Sequence, residues 1–254
     1  MTSELIYSLI TAIFVGGAGG YVGSLMVSKR MALVGDALGH VALPGMGLAI
    51  LLGLNVSLGA FVFLFIGILL IWYFEEKTEL PTETLVGIIF VLSLAIGFLI
   101  TPELELLEAL IGDITDVSFA NMAIAVILSV LVVYLIKKIY LKIIFSSISN
   151  DFAVANKINV KRDNFLYLLA VAVIVAMGVK VAGSLLVGAL VIVPAASSRL
   201  ISINLKQYSL WAILFGALSA VTGIILFNAL GWPVGPLVIL ANIVFFGICF
   251  LFKK

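Results

Sequence analysis

The chain predicts an all-α, polytopic membrane fold with about nine (eight to nine) transmembrane helices, some interrupted by proline. Three observations carry that prediction. Hydrophobic residues make up 64% of the 254 and charged residues 11%, with a mean hydropathy of +1.33, far outside the balance of a water-soluble domain. Near-uninterrupted apolar runs recur, each close to the about 20 helical residues that cross a hydrocarbon core of roughly 30 Å. The basic residues, finally, fall at alternate connections between those runs.

The first run, Leu5 to Val27, is too long for a signal-peptide core; Glu4 precedes it and Lys29 and Arg30 follow. It reads as a retained membrane helix with its amino end outside. Further spans are predicted at 33–53, 57–74, 84–101, 118–137, 165–180, 182–200, 208–230 and 234–252. The segments 165–180 and 182–200 are short and meet at Gly178–Gly183, which fits either a broken pair or one bent unit. Alternation of the spans puts 13 of the 14 Lys and Arg on one side and leaves Lys180 opposite. The positive-inside rule makes that side cytoplasmic. The N-terminus is then outside and the C-terminus cytoplasmic, in the plasma (inner) membrane of a prokaryote. Residues 102–117 are expected as an external loop with a short helix, Glu103 to Ile111, carrying Glu103, Glu105, Glu108, Asp113 and Asp116. Residues 138–164 form the longest cytoplasmic segment. Within it Asn150 caps one or two amphipathic turns running to Ile158. The whole of 1–254 reads as one transmembrane domain.

The densest chemistry is at Arg30–Gly45. His40, the single histidine, stands four residues after Asp36, so the two share a helix face. Ionisable groups inside a bilayer are costly and mark functional sites by default. Two readings stay open: a structural hydrogen-bonded pair, or half of a divalent-metal site built from carboxylate oxygen and imidazole nitrogen. One Asp and one His are too few for a tight site; a twofold homodimer would supply an N2O2 set. An incomplete site suits transport, since an ion held too firmly does not leave. Pro44 lacks the N–H that would bond the His40 carbonyl, so a kink with a free oxygen is expected there. Pro194 likewise interrupts an apolar helix and frees the carbonyl of Leu190, ahead of Ser197, Ser198 and Arg199. Two proline-interrupted helices are the pattern of a substrate path that needs irregular backbone.

Other chemistries find no residues. Cys249 is alone, which excludes a disulfide or thiolate cluster within one chain. There is no phosphate loop of the Gly-x4-Gly-Lys-Ser/Thr kind, no His-Glu-x-x-His and no Ser/His/Asp or Cys/His arrangement free of the membrane. The chain is not expected to be an enzyme or to bind nucleic acid; lipid is its surroundings, and no cofactor is expected to be held permanently.

The motifs fall in a recognisable order. Arg30-Met-Ala-Leu-Val-Gly-Asp-Ala-Leu-Gly-His-Val-Ala-Leu-Pro-Gly45 comes first, followed by Thr84-Leu-Val-Gly-Ile-Ile-Phe90 and Leu110-Ile-Gly-Asp-Ile114. Phe152-Ala-Val-Ala155, Gly183-Ser-Leu-Leu-Val-Gly through Arg199-Leu200, and Gly231-Trp-Pro-Val-Gly-Pro236 complete the set. The chain thereby resembles the membrane permeases of bacterial and archaeal ABC-type importers for zinc, manganese and iron. Gly39 departs from the pattern, where many members carry Ser.

The resemblance implies a homodimeric or pseudo-dimeric permease, driven by cytoplasmic ATP-binding cassette ATPase subunits and fed by an extracytoplasmic metal-binding protein. It assigns Asp36 and His40 to the metal, taken as zinc, manganese or iron(II). It also assigns 152–158, with Phe152, Ala153, Ala155, Asn156 and Ile158, to coupling with the ATPase. Pro44 and Pro194 would shape the pathway. Ligation needs a deprotonated imidazole, so uptake is expected to fall as pH drops through the His40 titration. The rival expectation is a stand-alone ion channel or proton-coupled secondary transporter using Asp36 as a relay.

Overall fold

A computed structural model describes residues 3–78, 80–101, 117–148, 156, 158–184 and 186–253. Among them, ten helical segments and no strand are found. They are α1 (Ser3–Ser28), α2 (Ala32–Val41), α3 (Leu43–Leu51), α4 (Val56–Lys77), α5 (Thr82–Ile100), α6 (Phe119–Ile148), α7 (Val160–Ala182), α8 (Val187–Ile201), α9 (Leu205–Leu230) and α10 (Val234–Leu251). Eight stretches are long and apolar enough to cross a membrane, with α2 and α3 together forming one of them; α8 is apolar but shorter. The expectation of eight to nine spans therefore holds.

The segment ends follow local chemistry. Asn55, Asn159 and Asn204 cap α4, α7 and α9 by accepting the backbone N–H of Leu58, Arg162 and Gln207, satisfying donors that a helix start leaves orphaned. Gly231, at φ +70°, ends α9 in the left-handed conformation. The α1 end breaks that preference: Arg30 takes φ +62°, while Met31 N–H reaches back to the Met26 carbonyl and Arg30 N–H to that of Val27. This is the paired hydrogen-bond pattern that usually recruits glycine.

α1 is the hub and packs on α6, α7, α8 and α9. At its crossing with α9, a Cβ added to Gly16 or Gly20 would run into the backbone of Gly216 and Ala212, the close approach that small residues give membrane helices. On α4, α5 and α6 large apolar side chains such as Phe61, Leu92, Phe98 and Leu131 face outward, as lipid contact demands.

The uncertain junction resolves physically. The α7–α8 pair is broken: α7 ends at Ala182, Gly183 takes φ +82°, and α8 starts four residues later. Only glycine adopts that φ without strain. Helix also extends beyond the predicted spans, through 138–148 at the end of α6 and 160–164 at the start of α7. The external acids at 103–116, the expected helix Glu103–Ile111, and Phe152, Ala153 and Ala155 of the coupling segment lie outside the described residues.

Candidate metal pathway

α2 carries Asp36 and His40 at one face, both partly buried. The helix stops one residue after His40: Ala42 is a turn, and Pro44 sits in the first turn of α3, where its missing N–H costs nothing. The break expected at Pro44 is therefore real but lies at Ala42. The expected free oxygen is corrected, because the His40 carbonyl takes the N–H of Ala42.

The imidazole is oriented by its own helix. His40 Nδ1 lies 3.0 Å from the Asp36 backbone carbonyl. A carbonyl only accepts, so Nδ1 carries the proton and Nε2 keeps its lone pair. That tautomer, fixed by a carbonyl on the remote nitrogen, is the one metal-binding histidines use. The carboxylate of Asp36 is thus not spent on the imidazole, contrary to the structural-pair reading. The ring edge of Phe90, on α5, stands against His40 at 5.3 Å between centroids and 81° between planes.

The broken-helix elbow presses on the same face. A Cβ at Gly188, in the first turn of α8, would lie 2.6 Å from Asp36 Cβ and 2.8 Å from its Oδ1, inside any real contact. One at Gly39 would meet the Ser184 carbonyl at 2.7 Å and the side chain of Val187. The departure at Gly39 therefore has a local cause: a Ser there would push the elbow away. Ser184 is fully buried and its hydroxyl has no partner among the described residues. Below the elbow α8 runs unbroken through Pro194 to Ile201, with Ser198 donating to the Tyr208 carbonyl at 2.5 Å and Arg199 over the Tyr208 ring.

Next to Asp36, a cavity of about 400 Å³ is bounded by α2, α5 and the turn between α1 and α2. Asp36 and Ala37 line it from one side, Glu83, Gly87 and Phe90 from the other, and Arg30 from the turn. Among the described residues no group of three or more His, Cys, Asp or Glu gathers.

A second polar cluster escaped sequence reading. Glu75, at the end of α4, accepts from Thr82 at 2.6 Å and from Asn164 at 2.9 and 3.1 Å; Lys29 donates to Asn164 at 2.7 Å. Lys29 also lies over the Tyr167 ring. Burial pulls its ammonium down to about 8, opposed by the charge of Glu75. Beside it, Asp163 is 1% exposed, with one oxygen held by Arg162 and the other without a partner among the described residues. Lys29 and Asn164 are 135 positions apart, so no local pattern pointed to their meeting. Asn156 and Ile158, the described part of the coupling segment, lie just before α7, and Pro194 is buried within α8.

A profile of the ABC 3 transport family matches residues 1–253. The chain belongs to that family. Over 98% of its length it is 29% identical to the manganese transport system membrane protein MntC of Listeria monocytogenes, covering 91% of that protein. It is 29% identical to the high-affinity zinc uptake system membrane protein ZnuB of Haemophilus influenzae, covering all of this chain and 96% of that one. Among solved structures, PsaBC from Streptococcus pneumoniae in complex with Fab superposes with a TM-score of 0.84 at 28% identity, over 98% of this chain and 92% of that one. As an ABC 3 transport family member the chain is a multi-pass membrane protein of the ABC permease type.

Proposed function

We propose that this chain is the membrane permease of an ATP-driven importer of divalent transition-metal ions, with manganese and zinc the leading cargoes. It works as a homodimer, with its basic side in the cytoplasm. The observation that carries this reading is the half-site: a carboxylate and an Nε2 lone pair, left uncommitted on one face of a broken membrane helix beside a cavity that Glu83 and Arg30 also line. Names of relatives support the cargo, MntC for manganese and ZnuB for zinc. Oxygen and imidazole ligands suit both ions.

In this reading an extracytoplasmic binding protein delivers the ion to the outer mouth. Asp36 and neutral His40 of two protomers replace part of its hydration shell. Cytoplasmic ATPase subunits grip the segment holding Phe152, Ala153, Ala155, Asn156 and Ile158, and their cycle alternates access to the site. Gly188 holds Asp36 in place from α8, and Pro44 and Pro194 let the backbone bend along the path.

The test is uptake of Mn2+ and Zn2+ by the complete transporter reconstituted in liposomes. Asp36→Ala and His40→Ala should each abolish ATP-dependent uptake while the complex still assembles. Uptake by the chain alone, without ATPase subunits, would move the assignment to a channel or secondary transporter.

A further inference from the structure

We infer that Glu83 is a second ion-contacting carboxylate, an exit station reached from Asp36, and that Arg30 is the fixed cation that competes with the ion there. The inference rests on the transport reading above.

Three observations converge on it. Asp36 and Glu83 line the same cavity, on its α2 and α5 walls. On α5, Glu83, Gly87 and Phe90 stand at i, i+4 and i+7, one continuous face; that face begins at the ring touching His40 and ends at the carboxylate. α2 and α5 both start at the same end of the bundle. Counting from the His40–Phe90 contact, Asp36 is four residues back and Glu83 seven, so the two carboxylates are offset by about 4–5 Å along the axis at ~1.5 Å per residue. At Gly87, between them, an added Cβ would meet nothing within 4 Å; the wall is bare where an ion must pass.

Charge completes the argument. The Glu83 carboxylate takes no hydrogen bond or ion pair among the described residues, although its neighbour Thr82 is anchored to Glu75. Its helix start is anchored there, while the carboxylate itself is exposed and left uncommitted. Arg30 reaches the same cavity from a left-handed backbone that an arginine adopts only at a cost, and strain of that sort persists where the surroundings enforce it. Successive weak sites let an ion advance without being trapped. A carboxylate one step along the path draws the ion from Asp36, and a nearby guanidinium keeps that second hold loose.

The experiment uses the assembled transporter in nanodiscs and proteoliposomes with Mn2+ as probe. Glu83→Gln should slow ATP-driven Mn2+ uptake at saturating metal by about tenfold while the Kd of the Asp36/His40 site stays unchanged, a loss in turnover and not in binding; Glu83→Asp should restore much of the rate. By electron paramagnetic resonance, a weak Mn2+ site should survive in the Asp36→Ala/His40→Ala pair and vanish when Glu83→Gln is added. Wild-type turnover in Glu83→Gln, or a weak site indifferent to it, overturns the inference. If Glu83→Gln fails to assemble, Gly87→Lys decides: a cation between the two carboxylates should block uptake, and normal uptake overturns the inference. Wild-type uptake by Asp36→Ala or His40→Ala would instead sink the transport site itself, so the two failures read differently.

Discussion

Where α1 crosses α9, glycines set backbone against backbone; where α2 meets α8, one sets backbone against a carboxylate. At Gly20 and Gly216 an added Cβ has only main-chain atoms to push, and at Gly16 the main chain of Gly216 with the Cβ of Ala220; main chain in a packed bundle does not yield. At Gly188 the obstacles are the Cα, Cβ and Oδ1 of Asp36, so an added methyl there has to push the carboxylate together with the α2 backbone that carries it. The first junction is frame and the second is instrument. The same substitution should therefore strain the fold at both, and at the second strike the activity as well.

The sharpest break of that contrast comes from the site itself. Asp36→Ala and His40→Ala should remove uptake altogether, with dimer and ATPase assembly intact by size-exclusion chromatography; loss of assembly would turn the instrument into frame. Next, Gly188→Ala should still assemble, with a Tm lowered no further than in Gly20→Ala, and lose at least about tenfold in uptake through displacement of the carboxylate. Gly20→Ala should cost the fold about 1–3 kcal/mol by overpacking, lowering the Tm of the purified protein while uptake per assembled transporter holds.

Smaller effects sharpen the edges. Lys29, with its ammonium drawn down to about 8 by burial, binds fewer protons folded than unfolded between pH 8 and the ordinary lysine range. Its contribution to stability should therefore rise as pH climbs through that window, with the full burial penalty present below pH 8. NMR of methylated lysines should show one resonance titrating near 8, and Lys29→Met should flatten that part of the Tm-versus-pH curve. Smallest of all, Gly87→Ala enters open space and should leave the fold as stable or raise stability by up to about 1 kcal/mol through helix propensity.

Much of this architecture was legible in the sequence because a bilayer asks for long apolar runs and sorts Lys and Arg between their ends. Asp36 and His40 were legible for the same reason: in a chain so apolar, a carboxylate and the single histidine at helical spacing stand out. The α7–α8 elbow was visible as Gly178 to Gly183, yet its left-handed turn at Gly183 needed coordinates to choose between a break and a bend. Other features had no local signature. Glu83 has no distinguishing neighbour in the sequence, and its place beside Asp36 depends on how α5 lies along α2. Lys29, Glu75, Thr82 and Asn164 come from four separate stretches and form one cluster only after folding. The turn expected at Pro44 lay at Ala42 because proline is comfortable in the opening turn of the next helix, so the chain bends just ahead of it.

α8 is only 15 residues long, too short to reach both faces of a bilayer, and its first turn abuts Asp36. A helix beginning carries a fraction of positive charge, which steadies the ionised carboxylate beside it. If Asp36 takes the cargo as proposed, that same partial charge stands against a cation arriving there, a bias toward release written into where one helix begins.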